Sequence, residues 1–354
     1  MTLSAPFPWF GGKSRVAAEV WAALGDVDSY VEPFFGSGAV LLGRPSWHKA
    51  KAENVNDVDA YLANFWRAIQ ADPDAVAEAA DWPVNETDLL ARHIWLVNEG
   101  RERIARMEAD PDFFDAKVAG WWVWGLCSWI GSGWCAGNGP WEVVNGRVEN
   151  THGKGGQWRQ RPHLGDAGRG VNRKLPHLGN AGRGVNRKRP HLGDRGSDKP
   201  GRETDGGALA DYFAALAGRL RGVRVCCGDW SRVVTDGAMA FGDSVGVFLD
   251  PPYLGDVRAK DLYRVDDHTL SIEVRDWAVA HGDDPRLRIV LAGYEPEHEA
   301  AIPPTWRRYA YSANAAYQGA GSSKTEGNAT NRKLERLWLS PHCLGSADLF
   351  GANP

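Results

Sequence analysis

The chain reads as an α/β protein built on an open, mostly parallel sheet, and three observations predict it. VGVFLDPPYLGD (Val245–Asp256) opens with an apolar run, Val245–Leu249, that has the composition of a strand buried on both faces, and it ends abruptly in an acid, two prolines and a tyrosine. VEPFFGSGAVLL (Val31–Leu42) is a strand entering a glycine turn that opens a helix. After Asp205 helix and strand patterns alternate: helix Leu209–Leu220, strand Val223–Cys227, GDWSRVV turning into another helix, helix Leu270–His281 and strand Leu287–Ala292. Trp306–Ser312 and Arg336–Ser340 read as late strands.

Strand ends are where such a sheet places its chemistry, because ligands bind in the crevice outside the carboxyl ends. Asp250, Pro251, Pro252 and Tyr253 therefore face a ligand. Asp250 can accept a hydrogen bond from an amine, and the Pro251 carbonyl, stiffened by Pro252, can accept a second. Tyr253 offers a flat face for stacking. This set suits a planar ring with an exocyclic amine, adenine or cytosine; the plain alternative is a strand followed by a proline turn. Gly36 and Gly38 let backbone approach a ligand closely, although the full G-x-G-x-x-G pattern is absent.

Taken in order, PFPWFGGKSR (Pro6–Arg15) is a second glycine turn followed by a cation, ahead of the first helix. KAENVNDVDAYLANFWRAI gives a short strand, Lys51–Val55, then a helix with Leu62, Phe65, Trp66 and Ile69 on its apolar face. A carboxylate about twenty residues beyond a glycine turn is placed to accept both hydroxyls of a ribose, while Asn56 or Asp57 could also cap the helix. Helices rich in Ala, Glu and Arg fill Asp72–Asp115. Gly120–Val144 carries six tryptophans. Trp121, Trp124 and Cys127 share a helical face that suits core packing, whereas Gly131–Pro140 cannot be regular helix, and an exposed Trp134 there would stack on bases.

A 14-residue repeat follows: RPHLGDAGRGVNRK from Arg161, LPHLGNAGRGVNRK from Leu175 and a truncated RPHLGDRG from Arg189. Its period is too short, and its apolar content too low, for a packed solenoid, which leaves a loop or flexible arm. Residues 151–202 hold thirteen Lys and Arg against three Asp, a net of +10 inside a chain of net −4, so the remainder carries −14. An acidic body with one basic insert is the footprint of a segment that tracks a phosphate backbone, through Arg169, Arg173, Lys174, Arg183, Arg187 and Lys188. His163, His177 and His191 recur at the same period without a second ligand type, and no metal site is expected.

The whole chain, 354 residues, contains no twenty-residue apolar run, and MTLSAPFPWFGGKSR lacks a signal-peptide core. Five cysteines form no CxxC pair. A soluble cytoplasmic protein with reduced thiols is expected.

FFGSG upstream of DPPY resembles the amino-methyltransferases of DNA, specifically the DNA adenine methyltransferase (Dam) family, over residues 5–65 and 205–342, and RKLERLWLSP is similar to family members from phages. The resemblance implies a Rossmann-like class I methyltransferase sheet, with the cofactor-binding catalytic domain in 1–65 and 205–354 and a mostly helical target-recognition insert in 66–160; the repeat arm, 161–204, lies outside the resemblance. It implies S-adenosylmethionine as cofactor, held by Trp9, Lys13, the turn Phe35, Gly36, Ser37 and Gly38, the ribose-binding acid Asp57, and Asp229 at the adenine ring. It implies double-stranded DNA as partner in a bacterial or phage-infected cell, a target base flipped onto Asp250–Tyr253, and DNA contacts from Lys324, Asn331 and Arg332 in the loop AYQGAGSSKTEGNATNRK. DPPY favours adenine over the cytosine 4-amino group; methylation of protein glutamine and a non-catalytic DNA-binding role are the other readings.

Overall fold

The computed structural model describes residues 3–9, 11–129, 134–135, 141–144, 147–150, 206–252, 269–311 and 335–345. Its centre is a seven-stranded sheet made of β1 (Ser29–Glu32), β2 (Ala52–Asp57), β5 (Val223–Cys227), β6 (Val245–Leu249), β7 (Leu287–Tyr294), β8 (Arg307–Ala310) and β9 (Glu335–Leu339), in the order β5-β2-β1-β6-β7-β9-β8. The first five in this order run parallel; β9 pairs antiparallel with both β7 and β8. A separate antiparallel hairpin joins β3 (Trp141–Val144) and β4 (Arg147–Asn150).

β6 lies on one side of β1 and β2 on the other, so the order reverses at β1 and opens a crevice beyond the carboxyl ends of β1 and β6. The Val245–Leu249 run is buried throughout and alternates its packing. Phe248 joins the core on one face, while Val245, Val247 and Leu249 join the core on the other. The first core is closed by α1 (Ala17–Leu24), α2 (Ala39–Leu42), α3 (Ala60–Ala71) and α8 (Gly206–Leu220), with α4 (Pro73–Ala80) and α7 (Ala116–Ser128) packed on α3. Val274 and Ala278 of α9 (Leu270–His281), with Ile302 and Trp306, close the second.

The insert between α3 and β3 is helical among the described residues: α4, α5 (Glu86–Trp95), a π turn at Leu96–Gly100, the short α6 (Arg101–Ile104), a 3-10 turn and α7. Its tryptophans are held by cations. Arg92 lies over Trp82, Trp121 and Trp124 at 5.1, 4.9 and 4.3 Å from the ring centroids, and Lys117 sits between Trp95 and Trp121 at 4.3 and 4.4 Å.

Trp134 is corrected by this packing. It is only 8% exposed: its Nε1 donates to the Trp122 carbonyl at 2.9 Å, and its ring lies where a Cβ on Gly125 would stand, 1.7 Å away. Gly125 is therefore the slot for Trp134. The indole belongs to the core of the insert and offers no face to a base.

Two arginines close a buried junction behind β2. Glu53 accepts from Arg44 at 3.0 Å and from Arg219 at 2.7 and 2.9 Å, tying α8 to the segment just after α2. No helix among the described residues is long and apolar enough to cross a membrane.

Candidate active site

The glycine turn is shaped by its own backbone. Gly36 and Gly38 take φ of +50° and +68°, which side chains with a Cβ rarely adopt. At Gly36 a Cβ would come within 2.8 Å of the Trp9 indole. Below the turn, Trp66 Nε1 donates to the Gly36 carbonyl at 3.1 Å and Phe35 packs on Trp66 at 5.0 Å. The Phe35 ring supports the turn from the core, and the half-buried Phe34 lies 6.3 Å from Trp230 in a stacked pair. Ser37 is also buried.

Asp57 ends β2 beside this turn. One of its oxygens accepts from the Gly36 N–H and the other from the Asp59 N–H, each at 3.0 Å. Asp59 is the residue that caps α3, through the Tyr61 N–H at 2.9 Å, so the Asp57 carboxylate is not the cap. Burial pushes the Asp57 carboxyl up to about 7 despite the two backbone donors that favour its charged form. A carboxylate in this position is stabilised by any ligand that brings hydroxyl donors.

Asn56, offered by the sequence as a possible helix cap, instead ties three strand ends together. Its Nδ2 donates to the carbonyls of Pro33 and Gly228 at 3.1 and 2.9 Å, and its own carbonyl accepts from Phe35 N–H at 2.9 Å. Glu32 was not singled out by sequence. It is 2% exposed and accepts from Tyr30 Oη at 2.9 Å; burial raises its carboxyl well above the usual carboxylate range. The sequence signal was an acid closing an otherwise apolar strand.

Asp229 caps the 3-10 turn Trp230–Val233 through the Ser231 N–H at 2.9 Å, and stands exposed at the end of β5. Asp250, directly after β6, pairs with Lys13 at 2.8 Å. Pro251 is buried and Pro252 half-buried behind it. Trp9, Lys13, Gly36, Asp57 and Asp250 are therefore gathered from three distant parts of the chain around the carboxyl ends of β1, β2 and β6; Asp229 stands on the outer side of this group. Tyr253, Arg169, Arg173, Lys174, Arg183, Arg187, Lys188, Lys324, Asn331 and Arg332 lie outside the described residues. Among the described residues, no three His, Cys, Asp or Glu side chains converge as a metal site.

No curated protein matches the chain. Residues 9–93 match the model of a family described as D12 class N6 adenine-specific DNA methyltransferase. The matched span holds Trp9, Lys13, the glycine turn and Asp57; the fold adds Asp250, from far outside it, through the ion pair with Lys13. The match over these residues supports a Dam-like, adenine-specific DNA methyltransferase, and the mostly parallel seven-stranded sheet fits the Rossmann-like fold of such enzymes.

Proposed function

We propose that the enzyme takes its methyl group from S-adenosylmethionine and acts on an adenine turned out of duplex DNA. The observation that carries this reading is the convergence of the positive-φ glycine turn, the half-buried Asp57 and Asp250 at one crevice. The residues fit the cofactor: the turn leaves room only for backbone beside Trp9, and Asp57 is a desolvated acceptor suited to paired ribose hydroxyls. Asp229 is assigned to the adenine ring of the cofactor. When bound, the cofactor supplies an activated methyl on a sulfonium, so the new N–C bond forms as the S–C bond breaks and the amine releases one proton.

Asp250 and the Pro251 carbonyl accept the two hydrogens of the target amine, which turns its lone pair out of conjugation with the ring, and Tyr253 stacks on the base. Positioning supplies most of the acceleration, since the chain need only hold two reactants in line. The insert 66–160 is assigned to target recognition and the arm 161–204 to the phosphate backbone. Deleting residues 161–196 is expected to flatten the dependence of DNA affinity on log[salt]; an unchanged slope would remove the arm from the interface.

Asp57 gives the reading a pH signature. Its carboxyl is protonated below about 7 in the free enzyme, and hydroxyl donors prefer it ionised. Cofactor affinity should therefore rise with pH through that value, by roughly tenfold between pH 6 and 8, with a proton released on binding at the lower pH. Calorimetry in buffers of different ionisation enthalpy measures both. Asp57→Asn should bind more weakly and lose the pH dependence; a variant that keeps it would take Asp57 out of the ribose site.

A further inference from the structure

The N-terminal segment crosses the site as a strap. Ser4 is held by the Tyr212 hydroxyl of α8, and Phe7 packs against Phe65, Trp66 and Trp122 at 5.3, 6.0 and 5.3 Å. Trp9 covers Gly36, its carbonyl accepts from the Gly12 N–H at 3.1 Å, and the strap then delivers Lys13 to Asp250. A second bond from Lys13 Nζ goes to the Gly11 carbonyl at 2.8 Å. Lys13 is 5% exposed and the Asp250 side chain 19%, so the lysine is the more enclosed partner and the carboxylate keeps some open surface while Oδ2 is held by Nζ. Burial alone would lower the lysine pKa, but Asp250, Tyr311 and Glu335 around it raise it, which keeps the amine charged and without nucleophilic character.

We propose that Lys13 is a positioning residue of methyl transfer and not a cofactor ligand: it grips Oδ2 of Asp250 and turns the other oxygen towards the target amine. The inference rests on Asp250 being the amine acceptor. The strap makes the grip rigid, because Phe7 and Trp9 fix the backbone that carries Lys13 to the same helices, α3 and α7, that support the glycine turn and the insert. An acceptor held within a fraction of an ångström of its working position is what an in-line transfer requires.

The test is steady-state methyl transfer to duplex DNA by Lys13→Met and Lys13→Arg, with cofactor affinity measured separately by calorimetry. Lys13→Met is expected to lower kcat by about 10- to 100-fold at saturating S-adenosylmethionine, with cofactor affinity changed less than about threefold, and Lys13→Arg to recover most of the loss. Weakened cofactor binding with kcat preserved at saturation would overturn the proposal and make Lys13 a cofactor ligand. If Lys13→Met does not fold, Lys13→Arg decides alone: it keeps the ion pair, so unchanged cofactor affinity supports the assignment and lost affinity refutes it. A wild-type enzyme that transfers no methyl to DNA would instead refute the function on which the inference rests.

Discussion

Asp250→Ala is expected to lower methyl transfer by at least about 10²- to 10³-fold while cofactor affinity stays within about tenfold, or roughly 1.4 kcal/mol. The division follows from position. In the proposed function Asp250 accepts from the target amine, and that hydrogen bond strengthens only as the nitrogen commits its lone pair, so its removal falls on kcat. In the same reading the cofactor is held by the turn, Asp57 and Asp229, a set that does not include Asp250. Alanine also leaves Lys13 buried without its 2.8 Å partner. Asp250→Asn, which keeps an acceptor oxygen, should therefore fold better and retain more activity than Asp250→Ala. Rapid-mix kinetics with parallel calorimetry separates the two effects; an inactive Asp250→Ala that has also lost the cofactor would contradict the division.

Glu53→Ala is expected to cost about 3–5 kcal/mol of stability, because it strands two guanidiniums that the sheet and helices enclose. Among the described residues Arg44 and Arg219 keep the Val27 and Leu41 carbonyls as hydrogen-bond acceptors, and the rings of Trp21 and Trp47 beneath them at 5.1 Å. A triple replacement with Glu53→Leu, Arg44→Met and Arg219→Met removes all three charges at once and should restore a large part of the loss. Urea unfolding measures both. A Glu53→Ala loss under about 1 kcal/mol, or a triple variant no better than the single, would mean that the junction is solvated and unimportant to the fold.

Much of the framework was legible because it is local. Val245–Leu249 is one apolar run with an acid at its end, and the structure gives a strand with those bounds. Val223–Cys227 and Leu270–His281 also match. The glycines of FFGSG were readable because only residues without a Cβ take their φ values cheaply.

What escaped depends on contacts between distant residues. Nothing in FPWFGGKSR shows that Lys13 reaches Asp250, since the pair exists only once β6 lies beside β1. Asn56 looked like a helix cap because its partners, the carbonyls of Pro33 and Gly228, come from two other strand ends. Trp134 read as an exposed aromatic in a glycine-rich loop; the deciding residue was Gly125, nine positions earlier on another element, whose missing side chain makes the pocket it fills. Phe34 and Phe35 are adjacent and chemically alike, and only the turn's geometry sends one towards Trp230 and the other onto Trp66.

In the proposed function this crevice moves a methyl group to the 6-amino group of adenine in DNA. The most direct measurement supplies labelled S-adenosylmethionine and unmethylated duplex DNA to the wild-type enzyme, digests the product to nucleosides and identifies the one that carries label. N6-methyladenine as the only labelled nucleoside is the predicted result; unlabelled DNA, or label on cytosine, would contradict it.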